Sequence, residues 1–206
     1  MDVWQITHAE RAALADDLSE MSSERWATPS LCHGWTVRDT LAHMTATAKM
    51  NPGRFATKMA ASGFRLTRLQ EKDIAAERGA DGDEALRRFR AISASVGGPP
   101  GPKETMLGET FVHSEDIRRP LRMSHAYPPD GVVAAADFFK RTNLIIGSKR
   151  RISGLKLAAT DADWSVGRGP EVSGPVMSLL MAMVGRGSAY AEDLKGDGAT
   201  ILLSRR

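Results

Sequence analysis

The chain has one cysteine, Cys32, among 206 residues. That excludes an internal disulfide and a four-cysteine zinc site, and it fits a reducing compartment. Aromatic residues make up only 6%, and no aromatic-rich strand or recognition-helix motif is present, which argues against a dedicated nucleic-acid module. Neither sign of charge dominates: 28 Lys and Arg oppose 25 Asp and Glu, for a net charge of +3. The pI near 9.2 comes from scattered basic residues, Lys149-Arg150-Arg151 being the main cluster. The longest apolar run, residues 176–184, is half a membrane span and contains Ser178. Residues 1–5 show neither a basic stretch nor an apolar core of the signal-peptide type, so a soluble, cytoplasmic protein is expected.

What is present suits a globular chain. The apolar fraction is 42% and the charged fraction 26%, and a chain of this length buries a core without staples. A capping box at Thr7-His8-Ala9-Glu10 predicts a first helix opening at Thr7. A second box at Thr36-Val37-Arg38-Asp39 opens a helix with Val37, Leu41, Met44 and Ala48 on one face. Residues 26–34 read as a connector. A long helix is predicted over 55–77, with Gly63 its weak point, then a short one capped by Asp83. The Gly/Pro run at 97–102 is a break. Helices follow over 104–119, stopping at Pro120, and over 132–147. Past residue 151 the pattern predicts strands near 155–160, 164–167 and 199–203, a hairpin turn at Asp161–Asp163, and a helix over 174–184. The reading is mainly α: a helical bundle over 1–148 and a small α+β domain over 149–206.

Glu109 and His113 stand four apart in a predicted helix, so their side chains leave one face one turn apart. Asp116 follows on the same face. His43 lies one turn after Asp39 on the second helix. Should these helices pack together, His43, Glu109 and His113 form a two-histidine, one-carboxylate set that leaves a bound metal with open positions, the catalytic pattern for zinc and also that of non-haem iron. Asp39 and Asp116 are then candidates to orient the imidazoles. A Glu-x-x-x-His spacing occurs often by chance and is usually a surface feature of a helix with no metal, and spacing alone leaves both readings open. Trp35 reads as core or a bundle-end plug, with pocket lining as the lesser alternative. Cys32 and His33 lack a third metal-binding partner, His8 reads as a first-turn surface residue, and His125 sits in a loop with no visible partner.

The segment WATPSLCHGWTVRDTLAH over 26–43 resembles the N-terminal signature of the mycothiol-dependent maleylpyruvate isomerase family, within the DinB/YfiT-like metalloprotein superfamily. GETFVHSEDIRRPL over 108–121 is similar to the second signature. Thr160-Asp161, Trp164, residues 171–175 and Gly185-Arg186 resemble the family's C-terminal domain. The resemblance implies a DinB-like four-helix bundle with a divalent metal on His43, Glu109 and His113, zinc most often, with nickel, iron or manganese as alternatives. It implies that the metal binds the thiol of a low-molecular-weight cofactor, mycothiol in the family, as a nucleophile for isomerisation or thiol transfer on a small electrophile. Arg186 would hold a substrate carboxylate. A homodimer is compatible with such bundles. The alternative is a non-catalytic metal-binding bundle that binds or senses a small molecule.

Overall fold

A computed structural model describes residues 2–143 and 146–205. They fall into two compact units, Asp2–His125 and one beginning at Ala126.

In the first unit, α1 (Val3–Asp17) starts four residues earlier than its Thr7 capping box predicts. Asp2 is the cap, accepting the Trp4 N–H at 3.1 Å. Thr7 instead turns its hydroxyl onto the Val3 carbonyl at 2.8 Å. The buried face of this helix carries Glu10 and Arg11 beside Val3 and Leu14. The second capping box forms as read: Thr36 and Asp39 exchange hydrogen bonds at the start of α2 (Val37–Ala48), an arrangement that stabilises a helix start by about 1 kcal/mol. The stretch over 55–77 is two helices, α3 (Pro52–Ala61) and α4 (Leu66–Glu77). Gly63 and Phe64 both adopt left-handed backbone between them (φ 64° and 58°), which ends one helix and redirects the chain. α5 (Gly82–Arg90) is capped by Asp81, not Asp83.

α6 (Glu104–Leu121) runs through Pro120 instead of stopping there. Proline has no N–H for the carbonyl of residue 116, four places earlier. That freed carbonyl of Asp116 accepts the N–H of Leu31 from the connector, at 3.0 Å. The helix break read from the sequence is thus a docking point.

Leu14 and Leu18 of α1, the Val37/Leu41/Met44/Ala48 stripe of α2, Leu86 and Phe89 of α5, and Ile117 and Leu121 of α6 share one buried core with Trp26. These four helices form the bundle, with α4 on a further flank of α2. Each fully buried Leu or Phe contributes about 1.5–3 kcal/mol of apolar burial.

The second unit holds α7 (Pro129–Phe139), α8 (Ser148–Arg151), three short strands, α9 (Val176–Met183) and α10 (Gly198–Ser204). α7 ends earlier than the predicted 147; residues 144 and 145 of that stretch lie outside the described residues. β1 (Lys156–Ala159) pairs antiparallel with β2 (Ser165–Gly167), as the hairpin reading requires, and parallel with β3 (Glu171–Gly174). The apolar run of α9 is buried on nearly all sides, making it the unit's central helix. α7 packs on α9, so the 148/149 boundary lies inside this unit. The strand predicted at 199–203 is helical: Ala199 and Leu202 are buried while Ile201 is exposed. A five-residue apolar run cannot distinguish the two states by periodicity. No helix among the described residues is long and apolar enough to cross a membrane.

Candidate metal centre

The capping box fixes the start of α2, and His43 lies two turns further on, facing α6. Gly108 precedes Glu109 on the buried side of α6, and His113 follows one turn later. The packing of α2 on α6 brings the three together. One donor atom from each of His43, Glu109 and His113 lies within 4.8 Å of the others. The two imidazole rings meet edge to face, with centroids 5.0 Å apart.

Asp116 Oδ2 accepts the Nδ1 proton of His113 at 2.9 Å. An imidazole so held has Nε2 left for a metal. Both Glu109 carboxylate oxygens are buried with no hydrogen-bond partner. A buried carboxylate left unpaired is costly by several kcal/mol, and a divalent cation held by His43 and His113 would supply the missing partner. The donor set therefore fits a metal.

The electrostatics agree with that arrangement. Burial, aided by the neighbouring His113, lowers His43 to about 3, so its ring is neutral and offers a lone pair at neutral pH. Burial alone would lower His113 too, but its hydrogen bonds to Asp116 and Cys32 outweigh it and push the ring up to about 10. Burial raises Glu109, against the pull of His113 and of Arg11. Arg11 is fully buried on α1. Its Nη1 donates to the Ser95 carbonyl at 2.9 Å, while Nε and Nη2 have no partner.

The connector supplies two residues whose sequence readings change. It is pinned at its base, where Ser30 N–H donates to the Trp35 carbonyl and Val37 N–H to that of Thr28, both at 2.9 Å. Gly34 turns it at φ 79°. Trp35 takes the pocket-lining place that was its lesser alternative: its ring stands 4.9 Å from that of His43 and 6.4 Å from that of His113, forming a wall of the centre. Cys32 has the partners it was expected to lack. Its thiol donates to Asp116 Oδ2 at 3.0 Å and lies 3.5 Å from His113 Nδ1. Cys32, His113 and Asp116 make a second cluster able to hold a cation.

Asp39 does not orient an imidazole. One of its oxygens takes the Thr36 N–H and hydroxyl, at 3.0 and 2.6 Å, and the other lies 3.2 Å from Arg78 Nε. His8 is half-buried and donates to the Ser95 carbonyl at 3.2 Å. His125 donates to Glu10 at 2.8 Å, and His33 is exposed. In the second unit, Arg186 follows α9 and its Nη1 donates to the Val184 carbonyl at 3.0 Å.

Residues 7–98 match the family model of the mycothiol maleylpyruvate isomerase N-terminal domain. A search of curated proteins found no match. Among solved structures, the chain is similar to a histidine-to-alanine mutant of the mycothiol-dependent maleylpyruvate isomerase. The TM-score is 0.59 at 14% identity, over 96% of this chain and 92% of that one. A second crystal structure of the mycothiol-dependent maleylpyruvate isomerase matches with a TM-score of 0.57, at the same identity and coverage. Residues 7–98 thus resemble the mycothiol maleylpyruvate isomerase N-terminal domain, and the chain shares the fold of the mycothiol-dependent maleylpyruvate isomerases.

Proposed function

We propose that the chain is a divalent-metal-dependent isomerase that uses a low-molecular-weight thiol, mycothiol by family, on a small electrophile with an activated double bond. The observation that carries this reading is the buried, unpartnered carboxylate of Glu109 between two facing imidazoles. His43, Glu109 and His113 would hold the cation, with zinc the first candidate for such a set. When bound, it supplies the positive charge that keeps a thiol in its nucleophilic thiolate form near neutral pH.

The protein's own groups do the rest. Asp116 keeps the His113 proton on Nδ1, so the ring presents one fixed face. Trp35 covers the imidazoles with an apolar surface that limits water. Arg186 keeps the role that the resemblance of Gly185-Arg186 implies, that of a guanidinium for a substrate carboxylate, which it can grip bidentately. Addition of the thiolate sulfur to one alkene carbon forms a C–S bond and moves the alkene electron pair onto the conjugated carbonyl as an enolate, leaving a single bond. Rotation about that bond follows, and return of the electron pair restores the double bond in the other geometry and expels the thiolate. The sequence is balanced, with no net oxidation and the cofactor regenerated. A cytoplasmic location, where such thiols stay reduced, fits the chemistry.

Incubating the metal-loaded chain with mycothiol and maleylpyruvate tests this. The expected result is thiol-dependent conversion to the trans isomer, abolished in His113→Ala. No conversion by the metal-loaded, thiol-supplied protein would overturn the isomerase assignment. Accumulation of a stable thiol conjugate would make the chain a thiol transferase instead.

A further inference from the structure

The geometry points to Cys32 as a positioning residue: its thiol fixes the carboxylate that orients His113. This inference rests on the reading of His43, Glu109 and His113 as the metal ligands, and extends it into the connector.

The two clusters able to hold a cation share His113. One imidazole has two ring nitrogens on opposite sides. Nδ1 faces Asp116 at 2.9 Å and Cys32 at 3.5 Å, so Cys32 and Asp116 occupy the side of the ring away from a cation held at Nε2. A single oxygen, Asp116 Oδ2, accepts from both the imidazole and the thiol. Asp116 is fully buried, where a carboxylate is held by hydrogen bonds. The thiol supplies one of them on the same oxygen that accepts from the imidazole, and with it a preferred orientation of the carboxylate plane.

Backbone contacts hold Cys32 to this task. The Asp116 carbonyl, freed by Pro120, takes the Leu31 N–H at 3.0 Å. Cys32 N–H donates to Ser30 Oγ at 3.2 Å, and the Cys32 carbonyl accepts the Trp35 N–H at 3.0 Å. Thr40 of α2 donates to Ser30 Oγ at 2.8 Å. Asp116 thus grips the connector through its carbonyl and the imidazole through its carboxylate. The same connector carries Trp35 against both rings. A thiol hydrogen bond, not thiolate coordination, is the role assigned to sulfur, and the two make different predictions for serine at this position.

The test uses the full chain with Zn(II) or Co(II) alone and no added thiol. Affinity is read by chelator competition, and the cobalt form by its absorption spectrum. Cys32→Ala and the near-isosteric Cys32→Val should each weaken metal binding about tenfold, in the range seen when an outer partner of a metal-bound histidine is removed. Cys32→Ser, which keeps a donor, should return affinity to within about twofold of the parent. The parent cobalt form should show no thiolate-to-cobalt charge-transfer band. Unchanged affinity in both Cys32→Ala and Cys32→Val overturns the inference, as does a charge-transfer band that these variants lose, which would make Cys32 a ligand. His113→Ala separates the two layers. If it still binds metal, the underlying ligand assignment fails; if it loses metal while the Cys32 variants do not, only the positioning role fails.

Discussion

Asp116 holds His113 through a 2.9 Å hydrogen bond to Nδ1, and this one contact decides which face of the ring is left for His43 and Glu109. Removing the acceptor's charge while keeping the shape should therefore damage the centre without dismantling the helix. Asp116→Asn is expected to lose about 10–100-fold in Zn(II) affinity, measured by chelator competition, with the helical circular dichroism of the metal-free protein retained. Unaltered affinity would remove Asp116 from the account.

Metal uptake should release protons. His113 is pushed up to about 10, so at neutral pH the metal-free ring is protonated and must lose a proton when Nε2 becomes a ligand. Affinity then falls as pH falls, by about tenfold per unit for each proton displaced. Burial raises Glu109, which favours its protonated form and opposes metal uptake in the same direction, whereas His43, at about 3, contributes nothing in this range. Calorimetric titrations in buffers of different ionisation heat count the protons. A pH-independent affinity between pH 6 and 8 would contradict this assignment.

The buried Glu109 carboxylate is a liability to the metal-free fold. Glu109→Gln removes a buried carboxylate that has no hydrogen-bond partner, at almost constant volume. It should leave the metal-free protein as stable as the parent or more so, by about 1–3 kcal/mol, while abolishing tight metal binding. Urea denaturation with and without Zn(II) checks both halves. A clear loss of metal-free stability would mean that Glu109 has a structural partner.

Asp39 separates architecture from chemistry. Its carboxylate closes the cap of α2, so Asp39→Ala should cost about 1 kcal/mol of stability. Zn(II) affinity of the folded protein should stay within about twofold, because no imidazole depends on this group. A tenfold loss of affinity would restore Asp39 to the orienting role that its spacing suggests.

The pattern of what the chain disclosed has a physical cause. Glu109 and His113 were legible as a pair because a helix converts a spacing of four into a shared face, whereas His43 joined them only on the condition of helix packing that the family resemblance implies, its helix α2 carrying the Val37/Leu41/Met44/Ala48 stripe into the core. Cys32 and Trp35 were legible only as lesser alternatives, because the connector is docked by a contact more than eighty positions away, Leu31 N–H on the Asp116 carbonyl. Pro120 misled in the same way: local rules say that it ends a helix, while tertiary packing uses the carbonyl it frees. Arg11 carried a usable signal, a charged residue on a helix face shared with Val3, Thr7 and Leu14, which a search for apolar stripes passes over. The 199–203 segment was too short for its periodicity to decide between strand and helix, and burial of Ala199 and Leu202 chose the helix.

Metal stoichiometry tests the centre most directly. The chain, purified without an affinity tag, is loaded with Zn(II), freed of excess metal and analysed for zinc beside His43→Ala, Glu109→Ala and His113→Ala. The account predicts about one zinc per chain in the parent, as one three-ligand centre requires, and near-complete loss in each variant. A parent that retains no zinc, or three variants that retain as much as the parent, would contradict it.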